Sequence, residues 1–150
     1  MRYPFRVALL LDARVHRELL RHARAEGGRE CCGLLLGATA DARRVARAVP
    51  ALNVALRPER EFLLAPEPLL HALRDEREGG PRVVGVYHSH PRGPTAPSPT
   101  DEREMWPRWS YVIVAPASDG ALAARSFRRD APGAPIVEEL VIVGAEGVTS

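Results

Sequence analysis

Apolar residues recur along this chain at two periods, and the switches between them mark its elements. Residues 5–11 are mostly apolar and predict a first strand. Beyond Asp12, the residues Val15, Leu19 and Ala23 fall four apart, on one helical face. They predict a helix capped by Asp12 and running to about Glu26, stopped by Gly27 and Gly28. Residues 31–38 are apolar throughout, the mark of a strand buried on both faces. Asp41 reads as a turn residue, and 43–51 alternates Arg with Val and Ala as a half-exposed strand does. These two strands make a hairpin. Residues 53–60 read as a loop and 61–64 as a short strand.

A second helix is predicted over 66–78, with Leu69, Leu70 and Leu73 inward and Gly79-Gly80-Pro81 ending it. Residues 82–88 form the central strand. A short helix follows from Ser98 to about Met105, stopped by Pro107. Residues 109–115 read as another buried strand, Ser118-Asp119-Gly120 as a turn, and 121–128 and 136–143 as closing strands. Residues 144–150 are expected to fray. With no repeat and no interdomain linker, residues 1–150 are expected to make a single α/β domain: a mixed, partly closed sheet flanked by helices.

Composition changes this picture little. A formal charge of +2 is too small to argue for a nucleic-acid partner. No apolar run approaches the roughly 20 residues of a membrane span. The first residues, Met1-Arg2-Tyr3-Pro4-Phe5, lack the apolar stretch and small-residue site of a signal peptide, so a cytoplasmic protein is expected. All 21 basic residues are Arg, so no side chain here can carry an isopeptide-linked modifier. The two cysteines, Cys31 and Cys32, are adjacent. In a strand they face opposite sides, which suits burial and not joint chelation of a metal.

The chemistry gathers around Tyr87-His88-Ser89-His90-Pro91 and its continuation to Ser98-Pro99-Thr100-Asp101. In extended chain, residues two apart point the same way, roughly 6.5–7 Å apart. His88 and His90 therefore offer two imidazoles to one side, and Ser89 faces away. Ser98 before Pro99 signals a helix start, which puts Asp101 in the first turn, where a carboxylate is favoured. Two His and one Asp make three ligands, and a catalytic zinc keeps its fourth position for water. Such a water needs a base, and Glu30, just before the apolar run 31–38, is the candidate. His16 and His22, six apart, are off the metal spacing and are expected in solvent, as His71 is in part.

Glu30, His88, His90, Ser98 and Asp101 together resemble, position by position, the signature of the JAMM (MPN-plus) metalloproteases. Asn53, Pro58, Phe62, Pro66 and the segment 69–74 resemble the bacterial branch. The resemblance implies a JAMM/MPN fold, akin to cytidine deaminases, and one Zn2+ per chain held by His88, His90 and Asp101. It implies Glu30 as general base. Ser98 becomes a donor to the oxyanion, or a plain helix cap, or both. The family cleaves peptide or isopeptide bonds after the Gly-Gly of ubiquitin-like proteins. Only 57 residues, 31 to 87, separate Glu30 from His88, too few for the substrate-gripping insertions of eukaryotic members. This resembles the short bacterial enzymes that trim ubiquitin-like sulfur carriers, so the expected partner is such a carrier ending in Gly-Gly, with no nucleic acid and no membrane.

Strand 43–51 is the expected edge for the substrate tail, with Arg43, Arg44 and Arg47 expected on a solvated face or else against acidic surface on the carrier. Trp106 and Trp109 are expected either in the groove or in the core. Two rival readings are a non-catalytic MPN-type module, disfavoured by the intact five residues, and a DNA-repair-associated relative, to which His90-Pro91-Arg92-Gly93 and Pro97-Ser98 are similar. The His-x-Glu and Pro-Cys-x-x-Cys of a zinc deaminase are absent.

Overall fold

The computed structural model describes residues 8–38 and 41–144. The expected strand residues 5–7 and the expected frayed residues 145–150 lie outside them. In chain order the elements are β1 (Leu9–Asp12), α1 (Ala13–Glu26), β2 (Cys32–Ala38), β3 (Asp41–Ala51), α2 (Pro66–Arg77), β4 (Arg82–Ser89), α3 (Pro99–Glu104), β5 (Ser110–Pro116), β6 (Leu122–Arg128), β7 (Ile136–Glu138) and β8 (Leu140–Val143). One mixed sheet takes the strands in the order β7-β6-β5-β4-β2-β3-β1-β8.

The two ends of that order, β7 and β8, are joined by Glu139 alone, so the sheet has curled almost onto itself. A second observation agrees. Arg43 on β3 donates to Glu138 on β7, although four strands separate them in the sheet. The single closing strand expected over 136–143 is thus two strands on opposite edges. Glu138 accepts from the hydroxyls of Ser110 and Ser126 at 2.7 Å each and pairs with Arg43 and Arg128, tying β3, β5, β6 and β7 together.

Both faces of the sheet carry a core, which is why β2 and β5 read as unbroken apolar runs. On the α1 face, Val15, Leu19 and Ala23 pack with Leu9, Leu11, Leu35, Val84 and Val112. On the other, Ala72 of α2 and Met105 pack with Leu34, Leu36, Val86 and Ile113. Gly85 permits the parallel approach of β4 to β5, since a Cβ there would lie 1.8 Å from the Ser110 carbonyl oxygen.

Several local expectations change. Asp12 sits at the N-cap of α1, but its carboxylate binds Arg44 at 2.8 Å and makes no side-chain cap bond. Asp41 opens β3 and is not a turn residue. Residues 61–64 form no strand; Leu64 makes an isolated bridge with Asn53. On α2 the buried residue is Ala72, and Leu70 is 59% exposed. His22 is half-buried, bonded to the Tyr87 hydroxyl at 2.8 Å, and burial lowers its pKa. Strand β3 is not a free edge where the arginines begin, because β1 pairs with Arg44 and Val45. Arg43 turns inward to Glu138, whereas Arg44 is exposed and pairs with Asp12 on the neighbouring strand.

Candidate metal centre

Three separate stretches meet at one end of β4. The antiparallel β2–β4 register places Cys32 opposite His88, and Ser89 N–H donates to the Cys31 carbonyl at 3.1 Å. One step further along, Glu30 therefore comes level with His90. On the other side, β5 runs parallel to β4, and His90 N–H donates to the Val114 carbonyl. Ser89 turns to the opposite side, as alternation requires, and its hydroxyl accepts from Cys31 N–H at 2.8 Å.

α3 supplies the fourth group through a reciprocal cap. Ser98 Oγ accepts from Asp101 N–H at 3.1 Å, and Asp101 Oδ2 accepts from Ser98 N–H at 2.9 Å. This fixes the carboxylate over the histidines.

His88 Nε2, His90 Nε2 and Asp101 Oδ2 then form a triangle with every edge 3.1 Å. Ligand atoms around a tetrahedral ion with bonds of about 2.0–2.1 Å stand about 3.3 Å apart, so this donor set fits a zinc-sized cation. The His90 Nδ1–H donates to the Pro94 carbonyl at 2.8 Å, which leaves its Nε2 lone pair aimed inward. Glu30, His88 and His90 also offer atoms that lie within 4.8 Å of one another, so Glu30 borders the same point.

The electrostatics separate the two carboxylates. Burial raises the Asp101 pKa, but the closeness of the His88 and His90 rings and the bond from Ser98 N–H outweigh it and hold Asp101 well below the usual carboxylate range in the metal-free protein. Glu30, 4% exposed, is pushed up to about 7, chiefly by burial, with His90 opposing and Asp101 and Glu61 adding. Its Oε1 has no hydrogen-bond partner among the described residues. Burial lowers the His88 pKa; at His90 it is overcome by the bonds to Asp101 and Pro94, and the pKa rises. One carboxylate is thus a fixed anion and the other is poised to exchange a proton near neutrality.

Phe62 stacks on His88 at 4.3 Å between ring centroids. It belongs to a cavity of about 450 Å3 that also touches Leu64, Leu69, Trp106, Trp109 and Tyr111 and opens onto His88, Ser98 and Asp101. Trp106 and Trp109 pack on each other at 4.6 Å and line this groove, which settles where the two indoles lie. Both cysteines are buried and unbonded to each other, with burial pushing their thiols up to about 11 for Cys31 and about 12 for Cys32. Neither is a thiolate at neutral pH.

All five residues singled out from sequence stand together here. What sequence reading passed over is how they are framed. Asn53 bonds the Glu30 carbonyl and Phe62 covers His88, and both had been picked out only by resemblance. The local signal for Asn53 was its place after a strand and before a loop, where an Asn side chain bonds the backbone two residues on.

Fold and site together define a compact mixed-sheet domain with a metal-ready His-His-Asp cluster beside a buried glutamic acid. The chain belongs to the family described as prokaryotic homologs of the JAB domain, matched over residues 12–130. It is 40% identical over 131 residues to a desampylase of Haloferax volcanii, covering 83% of this chain and 90% of that one. It is 38% identical over 115 residues to a probable TtuB-protein conjugate cleaving protease of Thermus thermophilus, covering 77% and 70%. Among solved structures, a protein from Desulfitobacterium hafniense superposes with a TM-score of 0.72 at 33% identity, covering 89% of this chain and 91% of that one. A JAB1/MPN domain protein from Archaeoglobus fulgidus shares the fold, with a TM-score of 0.53 at 18% identity, covering 89% of this chain and 97% of that one.

Proposed function

We propose that residues 1–150 form one cytoplasmic zinc peptidase domain that hydrolyses the bond after the C-terminal Gly-Gly of a ubiquitin-like sulfur-carrier protein. The observation that carries this reading is the 3.1 Å triangle of His88, His90 and Asp101 atoms beside the buried Glu30 carboxyl. The likeness to relatives named for cleaving ubiquitin-like conjugates supports the substrate class.

In this reading His88, His90 and Asp101 hold one zinc ion. Zinc there supplies Lewis-acid polarisation of the scissile carbonyl and a water whose pKa falls to about 7. Asp101 rather than Glu30 is the third ligand, because it is already a fixed anion at equal distance from both imidazoles. Glu30, buried beside His88 and His90, takes the proton of the attacking water and passes it to the departing amine. Ser98 Oγ uses a lone pair on Asp101 N–H, so its own hydrogen is available to the developing oxyanion, where one donor is worth about 3–4 kcal/mol. Phe62 lies over the His88 ring, and the groove beyond it borders His88, Ser98 and Asp101.

The test is direct. A sulfur carrier with a short extension after Gly-Gly, and the same carrier joined to a lysine side chain, are incubated with the zinc-loaded protein and read by intact mass. Loss of the extension or of the lysine adduct is expected. Glu30→Gln should bind zinc and turn over at least about 100-fold more slowly. Cleavage by Glu30→Gln at the native rate would remove Glu30 from the base role, and intact substrates with zinc bound would reject the carrier reading.

A further inference from the structure

The segment between β3 and α2 has little to hold it in place by packing. Leu52, Val54 and Leu63 are exposed, and Leu56 is 96% exposed. Yet it carries Phe62 onto His88 and brings Glu61 close enough for its charge to act on Glu30. Hydrogen bonds hold it instead: Val54 N–H donates to the Leu63 carbonyl at 2.8 Å and Ala65 N–H to the Leu52 carbonyl at 3.0 Å, and beside these one carboxamide ties four further backbone groups. Asn53 Nδ2 donates to the carbonyls of Glu30 and Glu61, and Asn53 Oδ1 accepts from the N–H of Ala55 and of Leu63, each at 3.0 Å. Two donors and two acceptor sites are thereby all used. Glu30 is gripped from its other side too, since its N–H donates to the Pro58 carbonyl at 2.7 Å. The backbone of Glu30 is therefore bonded to this segment at both of its peptide groups.

We propose that Asn53 is a positioning residue of the centre: its carboxamide locks segment 54–63 to the backbone of Glu30, so that one side chain sets both the aim of the Glu30 carboxylate and the cover that Phe62 lays on His88. The catalytic part of this inference rests on the function proposed above; the clamp itself does not. A single fully bonded side chain suits this task because it joins four backbone groups from three stretches of chain, at Glu30, at 55 and at 61–63. A catalytic group displaced by about 1 Å loses on the order of 100-fold in rate, so a clamp at the base has leverage that a surface hydrogen bond lacks.

The variants are Asn53→Asp and Asn53→Ser, in the full chain. Asn53→Asp keeps the acceptor for Ala55 and Leu63 but turns a carboxylate toward two carbonyl oxygens. Asn53→Ser keeps only a short hydroxyl for the Ala55 turn. Two readouts are taken: amide hydrogen exchange on the protein stripped of metal by chelator, and kcat and KM for the extended carrier with zinc bound. Exchange at Glu30, Ala55 and Leu63 is expected to quicken by about tenfold or more, with Tyr87 and Val112 in the core unchanged. For turnover, kcat is expected to fall by about 10- to 100-fold with KM within about threefold and zinc content equal to native.

Native exchange at those three amides in both variants overturns the clamp. So does faster exchange throughout the core, which marks a residue that only holds the fold. Quickened local exchange with an unchanged kcat overturns the positioning role. If the native protein cleaves no carrier, the carrier reading fails, and the exchange arm still decides the clamp.

Discussion

Two buried polar clusters lie on the same sheet, three residue pairs apart along β4 and β5, roughly 10 Å, and they are finished differently. At Glu138, both carboxylate oxygens are met, one by two serine hydroxyls and the other by Arg43 and Arg128. At the opposite end, His88, His90 and Asp101 crowd three electron-rich atoms into one triangle, while Glu30 Oε1 and His88 Nδ1 find no partner among the described residues. A closed cluster stabilises the sheet that it ties. An open one costs stability until something outside the chain completes it, and that incompleteness marks the functional end.

The comparison predicts that substitutions at the two clusters separate activity from stability. The largest effect belongs to the open one. Asp101→Asn keeps shape but removes the charge; zinc affinity should fall by more than the about 10–100-fold lost with an outer partner, and turnover with it. Elemental analysis after dialysis against a graded chelator reads this, and native zinc content would refute Asp101 as a ligand.

The closed cluster comes next. Glu138→Ala removes the carboxylate that Arg43 and Arg128, each about a fifth exposed, share, leaves Arg128 with Asp130, and should cost about 3 kcal/mol in urea unfolding. Zinc binding per folded molecule should stay native. A cost below about 1 kcal/mol, or a selective loss of zinc, would break the contrast.

The smallest effect concerns pH in the metal-free protein. Folding raises the Glu30 pKa from 4.5 to about 7, so the folded state holds this proton more tightly than the unfolded chain does. That contribution is present below pH 4.5 and is lost as pH rises through about 7. Glu30→Gln cannot ionise and should gain on native across this window, by at most about 3 kcal/mol at its upper end. Thermal unfolding of both proteins between pH 4.5 and 7.5 measures the gap. A gap that is constant, or that widens toward acid, would show that Glu30 is not a buried acid.

Much of this was legible from local pattern. The spacing of Val15, Leu19 and Ala23 foretold the buried stripe of α1, and Ser98-Pro99 with Asp101 foretold a capped helix start, because both depend on residues within a turn or two. Leu70 was misread as inward for want of a partner to pack on: α2 buries Ala72 where it meets the sheet, and periodicity alone does not say which side that is. His22 was read as solvated, since nothing nearby in sequence shows Tyr87, 65 positions on, reaching it.

By itself, then, the sequence determined the alternation that aligns His88 with His90, the cap that fixes Asp101, and which residues are candidates to bind a metal and move a proton. Tertiary structure alone decided that Glu30 comes level with His90 through the β2–β4 register, that 136–143 divides between both ends of the sheet, and that the Asn53 carboxamide bonds the backbone of Glu30, Glu61 and Leu63 at once. The physical reason is range. Dihedral preference and side-chain period act over a few residues, whereas register, closure and clamping are set by hydrogen bonds between groups far apart in the chain, which form only once the whole sheet does.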